Sequence, residues 1–224
     1  MKETGHKHSE AGIFDTLLQL PLLKGASRAR VQEIVGRFRL HFVKAAPGEV
    51  IVDEGSLCDA MIFILRGSVR LTAVDASRQL TVSQTLSAPQ VIAPDYLFGL
   101  STVYPCRVEA IDPVGLMKIS KEEYRRLLTL DQVFLFNYLN MICAGSQRAS
   151  QGLMSIAGGS AAERLSYWIT TLTQSGSTDI ELHAGQRELH TLLGISPTAM
   201  RAAVERLGDG ALMVDPHTLR LASR

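Results

Sequence analysis

Apolar residues along this chain change their spacing several times, and each change marks a new kind of element. Ile13, Leu17, Leu18, Leu20, Leu22 and Leu23 open an apolar, helical segment that Pro21 breaks. Val31, Ile34, Val35 and Phe38 then fall on one face of a helix over Ser27 to Phe38, with Ser27 as its N-cap. From Leu40 to Ile119 the texture differs: short runs of Val, Ile and Phe alternate with Gly, Pro, Asp and Ser. That spacing predicts many short antiparallel strands, a sandwich or barrel, with Gly48, Gly55 and Gly67 at turns that need positive φ. Helical character returns over Lys121 to Leu128, and a long helix runs from Asp131 to about Ile156. Along it Leu135, Leu139, Ile142, Ser146, Ala149, Leu153 and Ile156 keep the alternating four- and three-residue steps of a coiled-coil seam. A second stripe, Phe134, Tyr138, Met141 and Gly145, is placed to pack on the strand domain. One alternative is a helix buried on two sides within a monomer. The small Ser146 and Ala149 suit a close helix pair and favour a parallel homodimer.

The long helix stops at Gly158 and Gly159, and Ser160 with Glu163 forms a capping box for a new helix carrying Leu165, Trp168, Ile169 and Leu172. Two glycines before a capped restart make a hinge and a domain boundary. After a loop over Thr173 to Thr178, residues Gln186 to Leu212 read as a helix, a tight turn at Gly194 and a second helix. Leu189, Leu192, Leu193 and Ile195 form the seam of the first; Met200, Val204 and Leu207 form the apolar face of the second, with Ser196 as N-cap and Pro197 at N1. Such a pair is a helix-turn-helix, whose second helix fits a DNA major groove; the alternative is a helical hairpin packed in a larger core. DIEL before it, and LMVD and TLRLAS after it, read as short flanking strands, a winged variant. The expected organisation is α+β: a disordered leader (1–12), a strand-rich sensor domain (13–129), a dimerisation helix (130–157) and a winged helix-turn-helix domain (158–224).

Composition narrows the function classes. Hydrophobic residues make up 46% and charged residues 20%, as in a globular protein. Apolar runs fall short of the ~18 residues that span a bilayer, and the polar start MKETGHKHSEAG lacks a signal core, so a cytoplasmic protein without a membrane partner is expected. The net charge of +1 gives nucleic-acid binding no support, so that case rests on pattern. Cys58, Cys106 and Cys143 have no C-x-x-C spacing and are expected as buried free thiols, and nothing nearby completes a metal site with His6 and His8. Hydrolase, P-loop and zinc-protease motifs are missing, and adjacent Asp53 and Glu54 point different ways, so no enzyme is expected.

The order of parts resembles the Crp/Fnr superfamily. The resemblance covers nearly the whole chain and rests on PGEVIVDEG (Pro47 to Gly55), MIFILRGSVRL (Met61 to Leu71), Phe98–Gly99, KISKEEYRRLL (Lys118 to Leu128) and the helix pair. It implies a cyclic-nucleotide-binding-like β-roll, a dimer helix and a winged helix-turn-helix, hence a homodimeric transcriptional regulator that binds double-stranded DNA, with RNA polymerase as a further candidate partner. In cAMP-binding members a helix N-terminus after F-G-E and an Arg-Ser/Thr pair hold the phosphate. Here Leu100 stands at the Glu position, and Tyr104 and Pro105 at the Arg-Ser/Thr positions, which implies loss of ordinary cAMP binding. Arg107 is a substitute if the loop is shorter, and Ser150 stands where the family's helix touches the purine across the dimer. An apolar replacement pocket of Phe98, Gly99, Leu100, Tyr104, Tyr138 and Met141 would suit a hydrophobic effector, or haem with a histidine or cysteine ligand; alternatively these side chains simply fill the space. The cysteine cluster of iron–sulfur members is missing. On the DNA side the family's base-reading positions are Pro197 and Thr198, and its later arginine is Ala202. Ser196, Thr198, Arg201 and Glu205 remain to reach base edges, Arg201 being the guanine reader. Gln186, Arg187 and His190 would meet phosphates; Arg206 would do so too, or form a surface ion pair. The competing function is a ligand-binding or scaffold protein whose helix pair has lost its DNA role.

Overall fold

A computed structural model describes residues 14–208 and 210–222, without the side chains of residues 155 and 157. The leader 1–12, with His6 and His8, lies outside the described residues. The chain is α+β and forms two compact units. One comprises the described parts of Met1–Val69, Ser87–Pro105 and Glu109–Cys143; the other, Arg70–Leu86, Cys106–Val108 and Ala144 onward. The division therefore runs through the long helix and assigns a hairpin of the strand region to the C-terminal unit, whereas the sequence places boundaries at 129/130 and 157/158.

In the first unit a helix over 14–19 and a 3₁₀ turn at Pro21–Leu23 precede α1 (Arg28–Arg37). Ser27 caps α1 by accepting from the Arg30 N–H at 3.2 Å. Strands β1 (Leu40–Ala45), β3 (Ala60–Arg66), β6 (Gln90–Ile92) and β8 (Val114–Ser120) form an antiparallel sheet in the order β1-β8-β3-β6. Its registers set Phe63 opposite Met117 and Met61 opposite Ile119, all buried. Beside this sheet, β2 (Val50–Val52) runs along β7 (Arg107–Ala110), where the Ala110 N–H donates to Glu49 O at 3.0 Å. Gly67, at φ +82° in the β3 turn, could carry no side chain: a Cβ there would stand 2.4 Å from Asp112 Oδ1 and 2.7 Å from Pro113 O. Ser120 caps α2 (Lys121–Leu130), and Asp131 follows it, accepting from Arg30 at 2.6 Å. The long helix α3 (Gln132–Gly158) starts in this unit, with Phe134 and Tyr138 buried against it as the second stripe predicts.

The second unit contains the rest of α3, then α4 (Ala161–Leu172), whose Ser160–Glu163 capping box is formed as the sequence predicts. Tyr167 of α4 lies against Gly152 of α3: a Cβ at Gly152 would fall 1.6 Å from the ring. Short α5 (Leu189–Leu192) and α6 (Pro197–Leu207) meet at Gly194, φ +64°. The strands are β4 (Ser68–Val74), β5 (Leu80–Ser87), β9 (Thr178–Ala184), β10 (Ala211–Asp215) and β11 (Thr218–Leu221), ordered β10-β11-β9-β5-β4. Hence β5 pairs with β9, Val82 facing Leu182 and Ser83 facing Glu181. Val82 joins Leu165, Leu182, Leu189, Met200, Val204 and Leu219 in one core. The first helix of the pair is shorter than its sequence suggests. The Gly185 N–H is used by Gln79 O and the Leu189 N–H by Pro216 O, so residues 186–188 are held outside the helix. Among the described residues no single helix is long and apolar enough to cross a membrane.

Candidate effector region and nucleic-acid interface

Phe98, Leu100, Tyr104, Tyr138 and Met141, expected around an effector, belong to the first unit. The rings of Phe98, Tyr124 and Tyr138 pack together with centroids 5.7 to 6.5 Å apart, two of the three contacts edge to face. Tyr138 is 8% exposed and donates to Pro94 O at 3.0 Å; burial pushes its hydroxyl up to about 12. Tyr104 is 3% exposed and donates from its hydroxyl to Ala60 O at 3.1 Å. Its backbone N–H is spent on Ser56 O at 2.9 Å, so it offers nothing to an anion. No helix follows Phe98–Gly99, where the resemblance implies one, and Leu100 stands out in solvent at 109% relative exposure. Met141 is half-buried on α3. Exposed Arg107 and Ser150 belong to the second unit. An apolar cavity of the first unit, among Leu17, Val31, Phe63 and Phe134, measures about 30 Å³, far below the ~300 Å³ or more of typical ligand pockets. Burial also pushes the Cys58 thiol up, away from the thiolate a metal would need.

Dimer candidates lie on α3. Leu139, Ser146, Leu153 and Ile156 are exposed, whereas Leu135, Ile142 and Ala149 are half-buried. Gly158 is the last helical residue and Gly159 follows it outside regular structure.

In the second unit, α6 begins as its sequence dictates. The Ser196 hydroxyl accepts from the Ala199 N–H at 3.2 Å, and Pro197 fills N1. Met200, Ala203 and Val204 turn inward; Thr198 and Arg201 are exposed on the outer face. Gln186 and Arg187 lie exposed in the segment before α5, with the Arg187 carbonyl accepting from His217. His190 faces Glu188 at 3.0 Å. The Ser160 N–H and hydroxyl hold the Glu163 carboxyl below its ordinary range, and Arg206 adds a smaller attraction, which sets Arg206 beside the capping box.

Two carboxylates escape a sequence reading of this surface. Arg201 borders a groove of about 250 Å³ whose wall includes Glu188, His190, Pro197 and Asp215. The Asp215 carboxyl is held low by the His217 N–H, at 2.7 Å, and so stays ionised. Only the return of the β10–β11 loop to Leu189 brings Asp215 there. Residues 159–224 also contain six arginines, no lysine and seven acidic residues. Acidic residues thus outnumber the basic ones in this segment.

Comparison with known proteins gives three findings. Residues 42–131 match the family of cyclic nucleotide-binding domains. Potassium channel GORK of Arabidopsis thaliana is 28% identical over 114 residues, covering 50% of this chain and 13% of the channel. Potassium channel KOR1 of Oryza sativa subsp. japonica is 26% identical over 189 residues, covering 84% of this chain and 19% of the channel. The chain thus spans less than a fifth of the channels it matches. Among solved structures, the catabolite activator protein of Thermus thermophilus superposes with a TM-score of 0.54 at 19% identity, over 90% of this chain and 93% of that one. The sensor domain of the transcriptional regulator DNR from Pseudomonas aeruginosa gives 0.50 at 18% identity, over 58% and 85%. At such identities the likeness is one of fold.

Proposed function

We propose that the chain is a DNA-binding transcriptional regulator of the Crp/Fnr type, acting as a homodimer through α3. In this reading α5, α6 and the β10–β11 hairpin form a winged helix-turn-helix, and α6 reads bases. The carrying observation is α6 itself: capped by Ser196, opened by Pro197, apolar inward at Met200 and Val204, and presenting Thr198 and Arg201 outward. The strand domain serves as sensor, and Gly158–Gly159 is the hinge about which the two recognition helices reorient. Its effector is not cAMP, because the anchor positions hold exposed Leu100 and buried Tyr104. The regulator performs no catalytic step, and RNA polymerase is its expected partner on DNA. Arg201→Ala should remove preference for the selected site, by 1–3 kcal/mol at the base it contacts, and leave the dimer intact by light scattering. Unchanged sequence preference would refute the assignment of α6.

A second reading, a ligand-binding or scaffold protein with no specific DNA role, draws support from the acidic groove beside Arg201. The two readings part on salt: phosphate contacts make binding to duplex DNA fall steeply as salt rises.

A further inference from the structure

The exposed face of α3 departs from the seam that its apolar spacing suggests. Leu135 and Ile142, two members of that seam, are half-buried, whereas Phe136 is 58%, Leu139 43% and Leu153 63% exposed. Cys143, Ser146 and Ser150 are exposed as well. These six recur at steps of three and four residues, which keeps them in one stripe along a helix turning ~100° per residue.

The physical cause is the opposite face. Phe134, at 1%, and Tyr138, at 8%, are buried, and the Tyr138 hydroxyl is fixed on Pro94 O. Counted at 100° per residue, the centre of that buried stripe lies ~100° from the Leu135–Leu139 seam but ~150° from the Phe136–Leu139 one. The second seam is the face that a partner can reach.

We propose, on the footing of the dimer reading above, that a second copy of this chain packs in parallel on Phe136, Leu139, Cys143, Ser146, Ser150 and Leu153. This rotates the seam by ~50° from the Leu135–Ile142 column and sets Cys143 against its own counterpart. The occupant follows from the charge of the surface. Over its 27 residues α3 carries one charged side chain, Arg148, which lies outside the stripe. A two-fold interface must complement itself, and a neutral stripe does so without like-charge repulsion. A helix facing water would carry many charges instead. Serines at the middle of the stripe let the two backbones approach closely.

The cysteines make this register measurable in the full-length chain. Cys58 and Cys106 are buried and Cys143 is exposed. Light scattering first establishes the dimer; a monomer would overturn both the dimer reading and this inference. Given a dimer, mild oxidation of the micromolar protein with diamide should convert it to a disulfide-linked dimer on a non-reducing gel. Cys143→Ser should abolish that product. Adding Phe136→Cys to Cys143→Ser should restore it, and adding Ile142→Cys should give at least tenfold slower linkage. A dimer that links faster through Ile142→Cys than through Cys143 would keep the dimer reading and overturn the register.

Discussion

Gly152 and Tyr167 pack directly on one another in the C-terminal unit. Gly152 sits inside a helix, where alanine normally adds about 1 kcal/mol of stability. Here a Cβ would enter the Tyr167 ring, 1.6 Å from two of its carbons, and a ring anchored in α4 has no free end to swing away. Gly152→Ala should therefore destabilise the protein by about 1–3 kcal/mol, with recovery when Tyr167→Ala is added; urea unfolding of the single and double variants measures both. Asp215 acts through charge. Its carboxylate stays ionised in the groove beside Arg201, so Asp215→Asn should tighten binding to duplex DNA several-fold at low salt, with less gain as salt screens the charge. No gain would place DNA elsewhere. The sequence makes some residue roles readable and hides others. Leu100 and Tyr104 stand out at once as departures from a phosphate-binding pattern, because side-chain chemistry is local. The Tyr104 N–H bonded to Ser56 O, and Asp215 beside Arg201, depend on chain segments folding back and have no local signal.

Elements follow the same division. The helix starts at Ser27, Ser160 and Ser196 are legible because a cap and its N–H partner lie three residues apart. The start of α5 is not, since Gln79 and Pro216 take the amides of Gly185 and Leu189 from far along the chain. The pairing of β5 with β9 is equally hidden: alternation shows that a strand exists, not which edge it joins. Its consequence is that Val82 completes the C-terminal core. Val82→Ala should cost about 2–3 kcal/mol, and amide exchange should rise across β9 and α5 as well as in β5. Exchange confined to β5 would mean that the strand is not part of that core. At Glu163, the carboxyl's lowered range means that the capping box stabilises α4 above the ordinary carboxylate pKa and weakens as pH falls through the lowered value. Glu163→Gln should therefore flatten the acid side of the stability profile below about pH 4.5.

At the scale of the whole molecule, strand-rich and helical regions appear in the order that apolar spacing predicts, and α3 runs unbroken from Gln132 to Gly158. The face of α3 left for a partner was less legible, because spacing reveals a stripe but not which stripe the strand domain has already covered. The regulator reading joins that open face to an outward α6, and it makes a joint demand: two recognition helices on one two-fold axis must read two half-sites about one helical turn apart. Selection of the full-length protein against random duplex DNA, at two salt concentrations and with and without cell extract, tests this most directly. The account predicts an enriched two-fold symmetric site, weakened by salt, either in buffer alone or once extract supplies the effector. No enrichment under any of these conditions would contradict it.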